Sequence, residues 1–380
     1  MLNGTTISEG SAKKGIVTPR IRRIHSETPL SLPFEPEDKP IPTKIRVALR
    51  VRPSGDKNSS IEIKKNQEKP AIFINKNEKN QLQFSFDYIF AQDAEQNLVY
   101  NDLAKNSVKQ CLEGQNVCFF AYGQTGSGKT YSIMGTDEEP GLLPRFCDDL
   151  FYTIREENKD DKTLVSVSFF EIYQEKVYDL LSNDRKALRV RGGDMAYVEG
   201  VENLNVKNSR ELAQLRRRGL ARRATAATLV NELSSRSHAI FCLTVRQDRK
   251  ETINELEKSY VSISNCYFVD LAGSERISYT NGTCINETVS INISLLSLQR
   301  VIDAHAEGSS YINYRDSLLT RLLKDCFGGN SMTTLIALIS PETKYEAETV
   351  STLRFASKAA LVSQNVERNV DPFIQAIKGG

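Results

Sequence analysis

The sequence predicts a single α/β domain in which helices cover both faces of a central sheet. Two observations carry this. Apolar, β-branched or aromatic runs alternate with helix-compatible stretches from about residue 44 to 370, with no internal repeat and no shift of composition. A glycine-rich turn, Gly123 to Thr130, lies between one such run and one such stretch.

Taken in order, residues 1–43 are rich in Ser, Thr, Pro and Gly. Prolines at 19, 29, 33, 36, 40 and 42 forbid a long helix, so this segment reads as a flexible arm made basic by Lys13, Lys14, Arg20, Arg22 and Arg23. It is either a solvated tail or an arm with an anionic-partner or regulatory role. Order is expected from Lys44. KIRVALRVRP alternates basic and apolar residues and stops at Pro53, as a half-buried strand does. NVCFFAYG, TLVSVSFFEIY, HAIFCLTVRQ, NCYFVDLAG and TTLIALISP read as further strands. Helices are expected over NLVYNDLAKNSVKQCLEG, LLPRFCDDLFYTIREEN, SRELAQLRRRGLARR, ISLLSLQRVIDAHAEG, SLLTRLLKDCF and YEAETVSTLRFASKAALVSQN. The expected division is an arm over 1–43, one domain over 44–362 and a short segment over 363–380. No sustained heptad supplies a dimerising coiled coil.

Composition excludes several classes. Fifty basic residues stand against 48 acidic ones, which argues against nucleic-acid binding driven by bulk charge. No apolar run approaches the roughly 20 residues a bilayer demands, and the N-terminus lacks the apolar core of a secretory signal. Seven cysteines include no CxxC pair, and most sit in apolar segments, as small core side chains of a reducing compartment do. His25, His238 and His305 are too dispersed for a zinc site.

Gly123-Gln-Thr-Gly-Ser-Gly-Lys129-Thr130 fits the phosphate-binding P-loop pattern, with a strand before it and a helix after it. Gly123, Gly126 and Gly128 allow the tight turn, with Gln124, Thr125 and Ser127 between them. Lys129 can reach the β- and γ-phosphates, and the Thr130 hydroxyl suits Mg²⁺. Asp270-Leu-Ala-Gly273 ends an apolar strand; Asp270 there could hold Mg²⁺ through water, and Gly273 could offer its N–H to a γ-phosphate. A guanine-reading pattern also occurs, at Asn158-Lys-Asp-Asp161. It follows a helical stretch rather than a buried strand, so a GTPase switch is the lesser reading.

Further segments narrow the family. Asn231-Glu-Leu-Ser-Ser-Arg-Ser-His238 resembles the switch I motif of kinesins, and Asp270-Leu-Ala-Gly-Ser-Glu275 resembles their switch II. Tyr122 to Thr130 resembles their P-loop, and Arg50-Val-Arg52-Pro53 their adenine-side motif. Tyr314-Arg-Asp-Ser, Gly328-Gly-Asn-Ser331 and Thr352-Leu-Arg-Phe-Ala356 follow in the family's order. The match covers roughly 44–371, and its wording is most similar to the kinesin-three class.

The resemblance implies a P-loop ATPase with an eight-stranded, mostly parallel sheet and three helices on each face, acting on microtubules in the cytoplasm. It places ATP against Arg50, Arg52, Pro53 and Tyr131. It assigns Mg²⁺ to Thr130 and Ser235, with Asp270 acting through water. Asn231 and Gly273 would meet the γ-phosphate beside the serine-rich Ser234–Ser235 turn. Arg236 and Glu275 would pair to join the two switches, and His238 would pack structurally.

The filament side departs from the family. Where kinesins usually carry INKSLxxLGxVI, the sequence reads INISLLSLQRVI, with Ile293 for lysine and Gln299 for glycine. The preceding loop, Cys284-Ile-Asn-Glu-Thr288, lacks two cations, one of them at Asn286. Leu318 and Met332 also replace lysines, while Arg315, Arg321 and Lys324 remain for tubulin. Either other basic loops compensate, or this is a motor with weakened or altered microtubule coupling; from a different class, the chain could be a non-motile microtubule-binding module that keeps nucleotide. Residues 363–371 resemble a neck linker, with Asn369 at the latch and Ala360 replacing a lysine.

Overall fold

The structure, a computed structural model, describes residues 40–55, 59–64, 69–77, 80–157, 162–193, 195–229, 233–253, 256–275 and 285–371. Most of the expected arm, the Asn158–Asp161 pattern, Asn231 and Cys284 lie outside them, as do residues 372–380.

The segments expected as strands assemble into one mixed sheet of twelve. Its body runs in the order Lys176–Asp179, Thr163–Tyr173, His238–Ile253, Leu256–Asp270, Val117–Gly123, Met332–Ile339, Arg46–Val51, Tyr88–Phe90. From Leu256–Asp270 onward every pairing in that order is parallel. The first three are antiparallel. Four short strands widen this body beyond the eight the resemblance implies: Ala187–Arg191, Tyr197–Glu199, Leu204–Val206 and Val370–Asp371.

Alternation along the strands divides the core. Val117, Phe119 and Ala121 face one apolar cluster, and Cys118, Phe120 and Tyr122 face the other. The first cluster receives Gln96–Leu103 with Lys105–Leu112, then Leu142–Glu156 and Ser209–Leu229. The second receives Ile285–Ala306, Leu318–Leu322 and Glu346–Ala359. Counting the first interrupted pair as one and setting aside the short Lys129–Ile133 turn, three helices among the described residues cover each face, as a buried parallel sheet requires. The cysteines at 111, 118, 147, 242, 266 and 326 are buried thiols.

One local expectation is corrected. Arg46–Val51 is buried along nearly its whole length, not half-buried, because parallel neighbours and helices enclose it. Its arginines turn to internal acceptors: Arg46 donates to the Leu103 carbonyl and to Thr334 Oγ1, and Arg50 to Gln96 and Ser132.

Candidate functional site: a phosphate loop with two closing elements

The fully buried strand Val117–Gly123 delivers the loop at the end of the parallel strands, where open α/β sheets receive ligands. Gly123 has φ 152° and approaches its neighbour strand so closely that a Cβ would lie 2.2 Å from the Leu338 carbonyl oxygen. Gly126 and Gly128 follow with φ 74° and 100°, after which Lys129–Ile133 turns helical.

Lys129 is buried with its ammonium inside the loop, donating to the carbonyls of Gly123 (2.9 Å) and Gln124 (2.8 Å). Burial pulls its pKa down, while the carboxylates of Asp270 and Glu275 support the charge. Asp270 Oδ2 accepts from the Thr130 hydroxyl and from Arg223, each at 2.7 Å. Arg223 also reaches the Ser237 carbonyl at 3.0 Å. The other Asp270 oxygen, Oδ1, is buried and unpartnered, as are Ser127 Oγ and Gln124 Oε1. A free carboxylate oxygen beside a threonine hydroxyl is the hard oxygen donor set that Mg²⁺ takes, so the residues fit that ion.

Two peptide segments close on the loop. Leu271 and Ser274 donate their N–H groups to the carbonyls of Ala121 (3.4 Å) and Gly123 (3.1 Å). Between them, the Gly273 N–H meets the Ser235 carbonyl at 2.9 Å, which joins the short helix Leu233–Arg236 to the Asp270–Glu275 segment. His238 binds the same segment from behind. Its Nδ1 accepts the Ala272 N–H at 3.1 Å, and its Nε2 lies 2.8 Å from Ser294 Oγ on the helix Ile285–Ala306. Burial and the Arg223 guanidinium push its pKa down to about 3, so the ring is neutral.

On the outer side of the loop, Tyr131 is 40% exposed, and the Arg50 guanidinium lies 5.3 Å from its ring centroid. Arg50 is therefore a buried support, not a solvent-facing contact. Gln96 completes that support, accepting from Arg50 at 2.8 Å and donating to the Tyr131 carbonyl at 2.7 Å. Pro53 is exposed beside Arg52, whose Nη1 donates to the Gly126 carbonyl at 2.8 Å.

The family model described as kinesin motor domain matches residues 47–362. The chain belongs to the kinesin family. Kinesin-like protein KIF14 of Homo sapiens is 43% identical over 303 residues, covering 76% of this chain and 18% of that protein. Kinesin-like protein KIF1B of Homo sapiens is 40% identical over 367 residues, covering 88% of this chain and 20% of that protein. The chain thus spans about a fifth of the curated relatives it matches. Among solved structures, a fast kinesin described for its ATPase mechanism and microtubule interactions aligns with TM-score 0.77 at 36% identity, covering 88% of this chain and 96% of that one. A KIF14 dimer in a two-heads-bound state with AMP-PNP, in complex with a microtubule, also aligns at 0.77. Its identity is 38%, and coverage is 87% and 97%.

Within this kinesin fold the remaining expected residues are less tightly knit. Arg315, Arg321 and Lys324 line one shallow cleft of about 240 Å³ with Tyr311 and Tyr314. Lys324 stands 5.6 Å from the Tyr314 ring centroid, and Arg321 donates to the Gly192 carbonyl. Of the positions lacking cations, Ile293 is 40% exposed, and Leu296 one turn on is 45% exposed. Leu318 and Met332 instead pack against the two core clusters, and nothing is described of the Asn286 side chain. Gln299 borders an open cleft of about 510 Å³ between Glu275 and the helix Glu346–Ala359.

Residues 363–371 lie along the domain. Ser363–Val366 pairs antiparallel with Ile41–Lys44, and Val370–Asp371 pairs with Val261 and Ser262. Asn369 exchanges backbone bonds with Gly114 (2.9 Å) and Ile263 (3.0 Å), and its side chain meets Gly114 and Asn330. Sequence reasoning missed Arg223 and Gln96. Arg223 sits in a run of arginines that reads as a solvated helix face; only the fold turns it onto Asp270.

Proposed function

We propose that the chain is a microtubule-associated motor ATPase, in which nucleotide binding closes the Leu233–Arg236 and Asp270–Glu275 segments and sets the state of residues 363–371. One observation supports this above the rest. The segment that ends at Glu275 is bonded both to the phosphate loop, through Thr125, and to the long helix Ile285–Ala306, through His238 and Ser294.

Lys129 holds the β- and γ-phosphates of ATP, and Gly123 to Thr130 wrap them with backbone N–H groups. Mg²⁺, when bound, neutralises developing phosphate charge; Thr130, Ser235 and Asp270 are the residues that would hold it. Asn231 would meet the γ-phosphate, and so would the Gly273 N–H on leaving the Ser235 carbonyl; Ser234 and Ser235 would supply hydroxyls, and Glu275 with Arg236 would orient the attacking water. Tyr131, backed by Arg50, would offer a face to adenine, with Arg52 and Pro53 also beside the nucleotide. The domain spans 44–362, with 363–371 as a neck linker whose docking is held by Asn369. Arg315, Arg321 and Lys324 attract the acidic tubulin surface, placing the chain on cytoplasmic microtubules.

The exposed Ile293 favours a second reading, a nucleotide-binding microtubule module with weak or non-motile coupling. Steady-state ATPase of this chain at low salt, with and without microtubules, decides between them. Stimulation by microtubules supports the motor; tight co-sedimentation without stimulation supports the module.

A further inference from the structure

The geometry points to Glu342 as a positioning residue for the phosphate loop, acting through Arg52. This rests on the nucleotide-site reading above and assigns a residue outside every motif that carried that reading. Glu342 follows the strand Met332–Ile339 and is itself buried. Its Oε1 accepts from Arg52 Nη2 and from Ser54 Oγ at 3.2 Å, and its Oε2 accepts from Lys344 at 2.7 Å. Its backbone is fixed as well, bridged to Ser59 and donating to Ser340 Oγ at 3.3 Å. One carboxylate is therefore the acid between two cations, Arg52 and Lys344.

Arg52 spends its other terminal nitrogen on the loop, at the Gly126 carbonyl. A trans peptide points its C=O and the next N–H in opposite directions. Holding the Gly126 oxygen on the Arg52 side therefore turns the Ser127 N–H away from Arg52, where it donates to the Gln124 carbonyl at 3.2 Å. Gly126 has φ 74° and no side chain, so this peptide unit has little intrinsic resistance to flipping. Flipped, it would aim a carbonyl oxygen at a phosphate. Without Glu342, Arg52 loses the carboxylate that it shares with Lys344 and that fixes the direction of its guanidinium. The chain of contacts from Glu342 to Arg52 to Gly126 thus fixes the Gly126–Ser127 peptide, and with it the loop turn that the Ser127 N–H closes on Gln124.

The test is ADP affinity by calorimetry, together with ATPase kinetics, on Glu342→Ala, Glu342→Gln, Arg52→Ala, the Arg52/Glu342 double alanine variant and Lys129→Ala. Loss of a partly exposed charge-assisted contact should weaken ADP binding and raise KM for ATP about fivefold, with kcat at saturation within about twofold. Arg52→Ala removes the loop contact itself and should weaken ADP binding at least as much, and the double variant should be no worse than Arg52→Ala alone. Should Glu342→Ala fail to fold, Glu342→Gln, which keeps the shape, carries the measurement. Wild-type ADP affinity in the Glu342 variants, with binding lost in Lys129→Ala, overturns the inference and leaves the nucleotide site standing. So do lowered melting temperatures with KM unchanged, or losses that multiply in the double variant. Normal binding by Lys129→Ala overturns the nucleotide-site reading, and this inference with it.

Discussion

Glu275 grips the phosphate loop at Thr125: its carboxylate accepts the Thr125 N–H at 2.7 Å and the Thr125 hydroxyl besides. Gly273 makes the grip possible. A Cβ there would stand 2.3 Å from Thr125 Oγ1 and 2.4 Å from Glu275 Oε1, distances no real contact tolerates. Gly273→Ala should therefore drive the Glu275 carboxylate and the Thr125 hydroxyl out of their bond. Nucleotide binding through Lys129 should survive, while turnover falls at least about tenfold, as expected when an interaction of the closed state alone is lost. Single-turnover and binding measurements on this variant check it. Near-normal turnover would show that closure of this segment does not gate the chemistry.

A second expectation concerns Arg223. Its guanidinium and the Asp270 carboxylate are 3% and 2% exposed, with the Thr130 hydroxyl and the Lys129 ammonium as further support for Asp270. Removing one partner of so buried a pair leaves the other charge uncompensated, at a cost of about 3–5 kcal/mol. Arg223→Ala should lower the melting temperature and shift the Mg²⁺ dependence of turnover upward. Arg223→Lys should rescue only part of this, since a lysine lacks the fork that reaches Asp270 and Ser237 together. An unchanged melting temperature for the alanine variant would refute the buried-pair account.

His238 supplies a pH test. Its folded pKa is depressed to about 3, by burial first and by Arg223 second. The unfolded side chain titrates near about 6.5, so between those values the unfolded state binds one more proton than the folded state. Stability then rises with pH across that window: the neutral ring's contribution is complete above about pH 6.5 and erodes on acidification. The loss by about pH 5.5 should be roughly 1.4 kcal/mol relative to about pH 7.5. Denaturant unfolding of the wild type and His238→Asn at both values reads this directly. The variant's stability should vary less across the interval, and equal variation in both proteins would remove His238 from the account.

Much of this was legible in the sequence because local chemistry and the fold agree. The run from Gly123 to Thr130 needs glycine where φ is positive, and the strands around it are long and apolar enough to be recognised alone. What was not legible depends on distant partners. Arg50 looks like an outward basic residue of an alternating strand until Gln96 and Ser132 are brought beside it. The short strands at 187–191, 197–199 and 204–206 carry too few residues for periodicity to speak. The helix expected to run through Asn365 stops at Ala359 because Ser363–Val366 finds a strand partner in Ile41–Lys44. That pairing joins segments more than three hundred residues apart, which no local pattern announces.

The last prediction concerns the filament. Sequence comparison suggested that cations missing at Asn286, Ile293, Leu318 and Met332 act alike, but the fold separates them. Leu318 begins a helix whose first N–H, its own, is taken by Glu175 at 2.7 Å, and its side chain packs on the core. Met332 packs on the opposite cluster. Lysine at either position would strip apolar contact from the domain before it could meet tubulin. Ile293 is different: it is exposed one turn before the equally exposed Leu296, with Arg300 a further turn on and 65% exposed at its side chain. Ile293→Lys should therefore be tolerated by the fold and tighten microtubule co-sedimentation. One exposed ion pair is worth about 0.2–1 kcal/mol, so the gain should not exceed roughly fivefold. It should shrink as salt is raised from low to physiological strength, since screening acts on exposed charges first. Leu318→Lys should instead lower the melting temperature with no comparable gain in binding. If the two variants bind alike and melt alike, the distinction between an exposed track position and a core edge is wrong, and the missing cations must be weighed together after all.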